Sequence, residues 1–343
     1  MFVGPKKVGA SVIVVAEGGV NHNGSPRRAL TMVDEAAKAG ADAIKFQTFI
    51  TERVVSRGAP KADYQMKTGG GKTQLEMLKP LELSSRDFSE ISERAQRRNL
   101  LFLSTPFDEE SVDLLEELGV PAYKVGSGEL TNLPFLEYVA KKGKPVILST
   151  GMSYLEEVQE AVSTILNQGN DRIILMHCVT SYPANPADAN LRAIQTLRET
   201  FNVPVGFSDH TLGMEVALAA VALGAVMIEK HLTLSQSLPG PDHKASLEPE
   251  EFGQMVRGIR VVERALGSAT KAPTKEELKM RKIARRSIVA SVEISEGEKI
   301  TRSMVVFKRP GSGIAPRDLQ LLLGKKAKRK IKPDETLTWD MVE

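Results

Sequence analysis

Two histidines, His210 and His231, end consecutive apolar runs of the chain and could hold a metal ion together. The runs, residues 203–206 and 226–229, have the short, β-branched composition of buried parallel strands. Neighbouring parallel strands bring their carboxyl ends to one edge, so the two imidazoles should converge. Two imidazoles, completed by water and substrate oxygens, suit Mn²⁺ or Mg²⁺. The other histidines also follow apolar runs: His22, His177 and His243.

Two lysines, Lys45 and Lys124, follow apolar runs in the same way. Burial of a lysine at the end of a strand is costly unless the ammonium group meets an anion. Hydroxyl groups follow other runs at Thr105, Ser127 and Ser208. The set predicts a pocket for a phosphate or a carboxylate. A lysine that forms a Schiff base is the alternative, because desolvation lowers the pKa of a lysine.

Two carboxylates, Glu129 and Asp242, lie in the loops after the fourth and the eighth apolar runs. Carboxylates in such positions can bind the hydroxyl groups of a sugar or move a proton. The alternative is that they only form ion pairs with the lysines.

Eight apolar runs alternate with amphipathic helical stretches along the first 268 residues. This order predicts an α/β fold in which eight strand–helix units close into a (β/α)₈ barrel, and the polar residues named above fall at the carboxyl ends of its strands. The runs are residues 12–16, 43–46, 101–103, 122–125, 146–148, 173–176, 203–206 and 226–229.

Two segments depart from the strand–helix rhythm. Residues 48–83 form a long insertion after the second strand, and loops of this length are often lids or binding loops. After the barrel, residues 269–286 are predicted to be a charged linker that contains a helix, and residues 287–343 a small, mostly-β domain. The tail contains an internal repeat, because ISEGEKITRSMV (294–305) matches IKPDETLTWDMV (331–342) at most apolar positions.

Composition narrows the class of protein. The net charge of +3, from 46 basic and 43 acidic residues, does not indicate a nucleic-acid partner. No apolar stretch approaches the roughly 20 residues needed to span a membrane. The single cysteine, Cys178, excludes an intramolecular disulfide and suits a reducing compartment, so a cytoplasmic location is expected.

Many short motifs, in order along the chain, resemble the sialic acid synthase family. They include AEGGVNHNGS (16–25), IKFQTF (44–49), FLSTPFD (102–108), YKVGSGE (123–129), LSTGM (148–152), GFSDHT (206–211), EKHLT (229–233) and GPDH (240–243). In the tail, KRPGSGI (308–314) resembles a loop of the family's antifreeze-like, or SAF, domain.

The resemblance implies a reaction in which phosphoenolpyruvate condenses with N-acetylmannosamine to give N-acetylneuraminate and phosphate, with C–O cleavage. Related synthases that make legionaminate from a diacetamido-trideoxy sugar share these motifs and are the alternative. A tail that acts as an independent carbohydrate-binding module belongs to a different class of function.

The resemblance also implies roles for individual residues. His210 and His231 match the ligands of a divalent metal, Mn²⁺ or Mg²⁺, while Lys124, Glu129 and Arg309 match catalytic positions. The remaining matches line the phosphoenolpyruvate pocket at Lys45, Thr105, Lys124, Ser127, Tyr182 and Ser208, and the sugar pocket at Asn23, Gln47, Glu129, Asp242 and Arg309. Because the family's arginine reaches the active site of another protomer, a domain-swapped homodimer is expected.

Overall fold

The computed structural model of the chain describes residues 1–62, 65–66 and 70–343. These residues form two compact units, Met1–Gly267 and Ser268–Glu343. A short antiparallel hairpin that the apolar pattern did not predict opens the first unit, with strands β1 (Phe2–Val3) and β2 (Lys6–Lys7). The buried side chain of Val3 packs among the apolar residues inside the barrel, so the hairpin covers one end of it.

Eight parallel strands form the barrel, in the order β5-β4-β3-β10-β9-β8-β7-β6. The strands at the two ends of this order, β5 and β6, lie side by side, so the sheet is nearly closed. The predicted barrel fold is therefore confirmed. The bounds of the strands are β3 (Ile13–Gly19), β4 (Ala43–Thr48), β5 (Leu101–Pro106), β6 (Tyr123–Val125), β7 (Val146–Ser149), β8 (Ile173–Cys178), β9 (Val205–Asp209) and β10 (Met227–His231).

Helices cover the outer face of the sheet and lie close to the predicted amphipathic stretches. Two additional short helices, α2 and α3, lie within the predicted insertion, of which residues 63–64 and 67–69 are outside the described residues. The helices of this unit are α1 (Pro26–Lys38), α2 (Thr51–Val54), α3 (Gln74–Leu78), α4 (Ser85–Arg97), α5 (Glu109–Glu117), α6 (Leu133–Lys141), α7 (Leu155–Asn167), α8 (Ala193–Phe201), α9 (Glu215–Ala222) and α10 (Pro249–Leu266).

Side chains on the strands alternate between the helix layer and the barrel interior, as the pleat requires. On β3, Val14 and Ala16 pack with the helices, whereas Ile13 and Val15 belong to a separate apolar cluster inside the barrel. The next inward position is Glu17, which lines a cavity instead. The barrel interior is therefore apolar along most of its length and polar at the carboxyl ends of the strands.

The second unit is a small domain built on the predicted internal repeat. It contains α11 (Lys275–Ala284), β11 (Ser287–Ala290), β12 (Val305–Lys308) and α12 (Leu319–Leu322). Equivalent residues of the two copies of the repeat have similar pairing and backbone conformation. Ile294 pairs with Ile331 across an antiparallel bridge, and Gly297 and Asp334 both have a left-handed backbone, with φ of 78° and 66°. The predicted small, mostly-β domain is thus observed.

One glycine makes room inside the barrel and yields a test of its packing. A Cβ atom at Gly206 of β9 would lie 2.5 Å from Met176 Sδ and 2.7 Å from the backbone oxygen of Met227, which cannot rotate away. We expect Gly206→Ala to lower the free energy of unfolding by about 1–3 kcal/mol, measured by denaturant titration. Gly58→Ala is the control, because a Cβ there meets nothing within 4 Å. A Gly206→Ala protein as stable as wild type would contradict this packing.

Candidate active site

A polar cavity of about 170 Å³ opens at the carboxyl ends of the barrel strands. This volume is below the roughly 300–1,000 Å³ of sites for drug-sized ligands, so it suits a small metabolite. Most of the predicted site residues meet here. Those on the strands face the barrel axis because side chains alternate along a strand, whereas Ser127, Tyr182 and His210 lie just beyond the strand ends. Those that line the cavity are Lys45, Gln47, Thr105, Lys124, Ser127, Tyr182, Ser208, His210 and His231.

Four buried charges form the floor of this cavity. Lys45 forms an ion pair with Glu17, and its Nζ lies 3.6 Å from Glu229 Oε1. The Nζ of Lys124 lies 3.5 Å from the same oxygen, so Glu229 stands between the two lysines. The side chains of all four groups are no more than 6% exposed. Lys45 and Lys124 thus each face a carboxylate, and those carboxylates are not the predicted partners Glu129 and Asp242.

Hydroxyl groups complete the surroundings of these charges. Lys45 donates to Thr105 Oγ1 at 2.9 Å, and Lys124 donates to Ser149 Oγ at 2.7 Å. Ser208 donates to Glu229 Oε1 at 3.2 Å. An anion that entered the cavity would meet both ammonium groups and these hydroxyl donors, which is the environment that phosphate and carboxylate groups require.

Sequence reasoning did not select Glu17 and Glu229, although a signal for both was present. Glu229 stands two residues before His231, and inward-facing positions recur every second residue of a strand. The predicted strand ended at Glu229, whereas β10 continues to His231 and turns both side chains inward. The first predicted run ends at residue 16, whereas β3 continues to Gly19 and places Glu17 opposite Lys45 in the sheet register.

The environment separates the protonation states of the two carboxyl groups. Burial raises the pKa of Glu17 to about 7. Burial would also raise the pKa of Glu229, but the ammonium groups of Lys124 and Lys45 outweigh this effect and hold it at about 2. Burial lowers the pKa of Lys124, whereas Glu17 and Glu229 more than offset burial at Lys45 and raise its pKa. Glu229 therefore stays ionised between two lysines at neutral pH, while Glu17 readily loses its charge.

The two predicted metal ligands lie together at the rim of the cavity. The ring centroids of His210 and His231 are 5.5 Å apart, and the ring of Tyr182 lies 4.2 Å from that of His210. His210 donates from Nδ1 to the carbonyl of Val179 at 2.7 Å, which leaves Nε2 with a lone pair. Nδ1 of His231 is buried and has no hydrogen-bond partner among the described residues.

This pair fits a divalent metal ion. Burial lowers the pKa of both imidazoles, so they are neutral at pH 7, the form that binds metals. No group of three or more potential ligands was found in the part of the chain that the structure describes. Water and substrate oxygens would therefore have to complete the coordination, as is common for Mg²⁺ and Mn²⁺.

The three remaining histidines have hydrogen bonds of their own. His22 Nδ1 accepts from the backbone of Gly24 at 3.0 Å, and His177 contacts the carbonyl of Ala189 at 2.8 Å. His243 lies 2.7 Å from Thr233 Oγ1. These contacts favour a structural role for His22 and His177, whose roles the sequence left open.

A second cavity of about 240 Å³ adjoins the first and shares Gln47, Phe107, Tyr182 and His231 with it. The predicted insertion supplies one wall. Most of the residues that line only this second cavity are apolar, namely Val20, Phe49, Val54, Met77, Leu78 and Pro241. The polar residues among them are Gln65 and Asp242. Burial raises the pKa of Asp242 to about 6.

Three predicted site residues lie outside both cavities. Asn23 Nδ2 donates to the carbonyl of Pro239 at 2.7 Å, and its Oδ1 faces His243 Nε2 at 3.1 Å, so this side chain holds the loop that carries Asp242. Glu129 accepts from Asn132 at 2.7 Å. Arg309 is exposed on the second unit, directly after β12.

Two family models match successive parts of this chain, and known proteins are similar to it over nearly its whole length. The model described as the NeuB family matches residues 32–271, and the model of the SAF domain matches residues 285–343. N,N'-diacetyllegionaminic acid synthase of Legionella pneumophila is 44% identical, covering 99% of this chain and 97% of that protein. N-acetylneuraminate-9-phosphate synthase of Mus musculus is 39% identical, covering 96% of this chain and 92% of that protein.

Solved structures are similar as well. The crystal structure of N-acetylneuraminic acid (sialic acid) synthetase from Leptospira borgpetersenii, in complex with citrate, aligns with a TM-score of 0.72 at 38% identity. The alignment covers 82% of this chain and 94% of that chain.

Within the described residues, no helix is both long and apolar enough to cross a membrane.

The raised pKa of Asp242 predicts a pH-dependent cost to stability. Because burial penalises the ionised form, the free energy of unfolding of wild type should fall relative to Asp242→Asn as the pH rises from about 4 to about 6. The fall should reach at most about 3 kcal/mol and level off above pH 6. Denaturant titrations across this range measure the difference.

The matched control for this experiment is Asp113→Asn, which should give the opposite slope. Hydrogen bonds from Lys142 and Tyr138 lower the pKa of Asp113, so wild type should gain stability relative to that variant as the pH rises. A difference between wild type and Asp242→Asn that does not change with pH would show that Asp242 ionises normally.

Proposed function

Because this chain belongs to the NeuB family, we propose that it joins phosphoenolpyruvate to an N-acetylated amino sugar and releases inorganic phosphate. Its relatives include synthases of N,N'-diacetyllegionaminic acid, N-acetylneuraminate-9-phosphate and pseudaminic acid, and the chain is an enzyme of this kind. The family that the motifs predicted is confirmed. The observation that carries the proposal is the buried pair Lys45 and Lys124, which faces two neutral imidazoles across one small cavity.

Phosphoenolpyruvate binds in the polar cavity. Its phosphate and carboxylate meet the ammonium groups of Lys45 and Lys124 and the hydroxyl groups of Thr105, Ser127 and Ser208. Glu229 keeps both lysines directed into the cavity, since its carboxylate lies within 3.6 Å of each. Buried cationic groups stabilise the negative charge that stays on the phosphate as it leaves.

The acceptor lies across the two cavities, with its aldehyde beside His210 and His231. When bound there, a divalent ion supplies Lewis-acid polarisation of the aldehyde oxygen. The enol carbon of phosphoenolpyruvate forms the new C–C bond to the aldehyde carbon. Water adds to the carbon that carries the phosphate, and one of its protons passes to the former aldehyde oxygen. The C–O bond of that carbon then breaks as a carbonyl group forms, and the other proton leaves with inorganic phosphate.

Further roles come from the family resemblance. Gln47 lines both cavities and Asp242 the second, so both are proposed sugar contacts. Asn23 stays a proposed sugar contact, although its side chain donates to the carbonyl of Pro239 in the loop that carries Asp242. Glu129 remains the predicted proton carrier. We also propose that Arg309 reaches the active site of a second copy, which makes the enzyme a domain-swapped homodimer.

Removing the metal ion, or the two histidines proposed to bind it, tests the metal site. EDTA should abolish phosphate release and Mn²⁺ should restore it, because the imidazoles at His210 and His231 hold an exchangeable ion. The double variant His210→Ala/His231→Ala should keep the circular dichroism of the barrel and lose activity. The control His177→Ala should retain Mn²⁺-dependent turnover, since His177 contacts the carbonyl of Ala189 rather than the cavity. Mn²⁺-dependent activity in the double variant would refute the ligand assignment.

Two acceptors are candidates. N-acetylmannosamine is the acceptor that the motifs predict. The second candidate, 2,4-diacetamido-2,4,6-trideoxymannose, is favoured by the apolar far wall of the second cavity, formed by Val54, Met77 and Leu78. A hydroxyl group buried against such a wall costs about 1–3 kcal/mol, whereas a methyl group gains about 0.8 kcal/mol. Two relatives described as N,N'-diacetyllegionaminic acid synthases, 44% and 45% identical to this chain, support the same choice.

Competition between the two sugars tests this choice. With phosphoenolpyruvate present, we expect kcat/KM for the diacetamido sugar to exceed that for N-acetylmannosamine by at least about tenfold, from the cost of one buried hydroxyl group. Met77→Gln should narrow the ratio, because Met77 is buried in the far wall. Met280→Gln, at an exposed methionine, should leave it unchanged. A wild-type preference for N-acetylmannosamine would identify that sugar as the acceptor.

A further inference from the structure

An ion pair with no exposed surface joins β9, which His210 directly follows, to β10, which ends at His231. Asp209 ends β9 and Lys230 precedes the last residue of β10, and the two are partners in the sheet register. Lys230 Nζ lies 2.8 Å from Asp209 Oδ2, and both side chains are 0% exposed. Neither group lines the reaction cavity, because both side chains point away from the barrel interior.

The pair holds the backbone on both sides of His210. Asp209 Oδ1 accepts from the backbone nitrogen of Thr211 at 2.9 Å and from its hydroxyl at 2.8 Å. Lys230 donates a further hydrogen bond to the carbonyl of Thr211. Because Asp209 and Thr211 flank His210, and Lys230 adjoins His231, one network fixes the chain at both imidazoles.

Stability alone gives no reason for a charged pair at this place. The preceding outward positions on these strands, Phe207 and Ile228, pack in the apolar layer under the helices, and so does Leu232. Desolvation of two charges offsets much of their attraction, so an apolar pair of similar volume is often as stable or more so. The charged pair adds what an apolar pair cannot, because its atoms form three hydrogen bonds with Thr211 and so fix the position of that residue.

We propose that Asp209 and Lys230 are positioning residues that set the separation of His210 and His231 for one divalent ion. The inference rests on the metal site of the proposed function and goes beyond it. Metal affinity depends on how well the ligands are oriented before the ion arrives, so loosening this network should weaken binding without removing a ligand.

The test measures Mn²⁺ binding directly, by electron paramagnetic resonance, with no substrate present. The variant Asp209→Leu/Lys230→Met replaces the pair with apolar side chains. We expect its Kd for Mn²⁺ to rise by about tenfold or more. Its thermal midpoint should stay close to that of wild type, and its affinity for phosphoenolpyruvate without metal should be unchanged, because Lys45 and Lys124 lie on the inner face.

A control separates this effect from the general loss of an ion pair. Asp34→Asn/Arg94→Met removes a pair at 2.9 Å between α1 and α4, away from the cavity, and should leave the Kd for Mn²⁺ at the wild-type value. If Asp209→Leu/Lys230→Met does not fold, Asp209→Asn/Lys230→Met is measured in the same way. Asparagine can keep the bonds from Thr211, but the bond from Lys230 to the carbonyl of Thr211 is lost, so the Kd for Mn²⁺ should again rise.

The outcomes distinguish the inference from the function on which it rests. An unchanged Kd for Mn²⁺ in the folded variant, or an equal loss of Mn²⁺ and phosphoenolpyruvate affinity, would overturn the positioning role alone. Wild type that binds Mn²⁺ no more tightly than His210→Ala/His231→Ala would refute the metal site, and the inference with it.

Discussion

The carboxylate of Glu229, held between the ammonium groups of Lys45 and Lys124, is the interaction on which the rest of the site depends. Two lysines so close together inside a barrel would repel one another and shed a proton without an anion between them. Glu229 keeps them charged and directed inward, and their attraction in turn keeps its own pKa at about 2. The cavity is therefore prepared for a small anion before any substrate arrives.

Two adjoining cavities divide the chemistry between charge and shape. The polar cavity is charged and small, which suits a phosphate and a carboxylate on a short carbon skeleton. The second cavity is lined in part by the insertion after β4 and is largely apolar, with Met77 and Leu78 in its lining. His231 and Tyr182 line both, so the reacting carbons would meet at their junction.

Much of the fold follows from local patterns in the sequence. Eight β-branched runs alternate with amphipathic helices, and the tail repeats its bend so closely that Gly297 and Asp334 share a left-handed backbone. The N-terminal hairpin was not predicted, because two-residue strands have no periodicity to detect. Strand ends were also misjudged: polar residues such as Thr105 and Ser208 continue the strands, since the barrel interior is polar there.

What the sequence by itself determined is the family, the barrel and the polar residues at its carboxyl end, because motifs and periodicity are properties of contiguous residues. Which groups pair was decided only by the tertiary structure. The register of β3 against β4 placed Glu17 opposite Lys45, and the closed arrangement of the strands brought Glu229 between Lys45 and Lys124. Glu129 and Asp242 are not partners of the lysines, and loop contacts turned Asn23 toward Pro239. These choices depend on distances between residues far apart in the chain, on which local spacing carries no information.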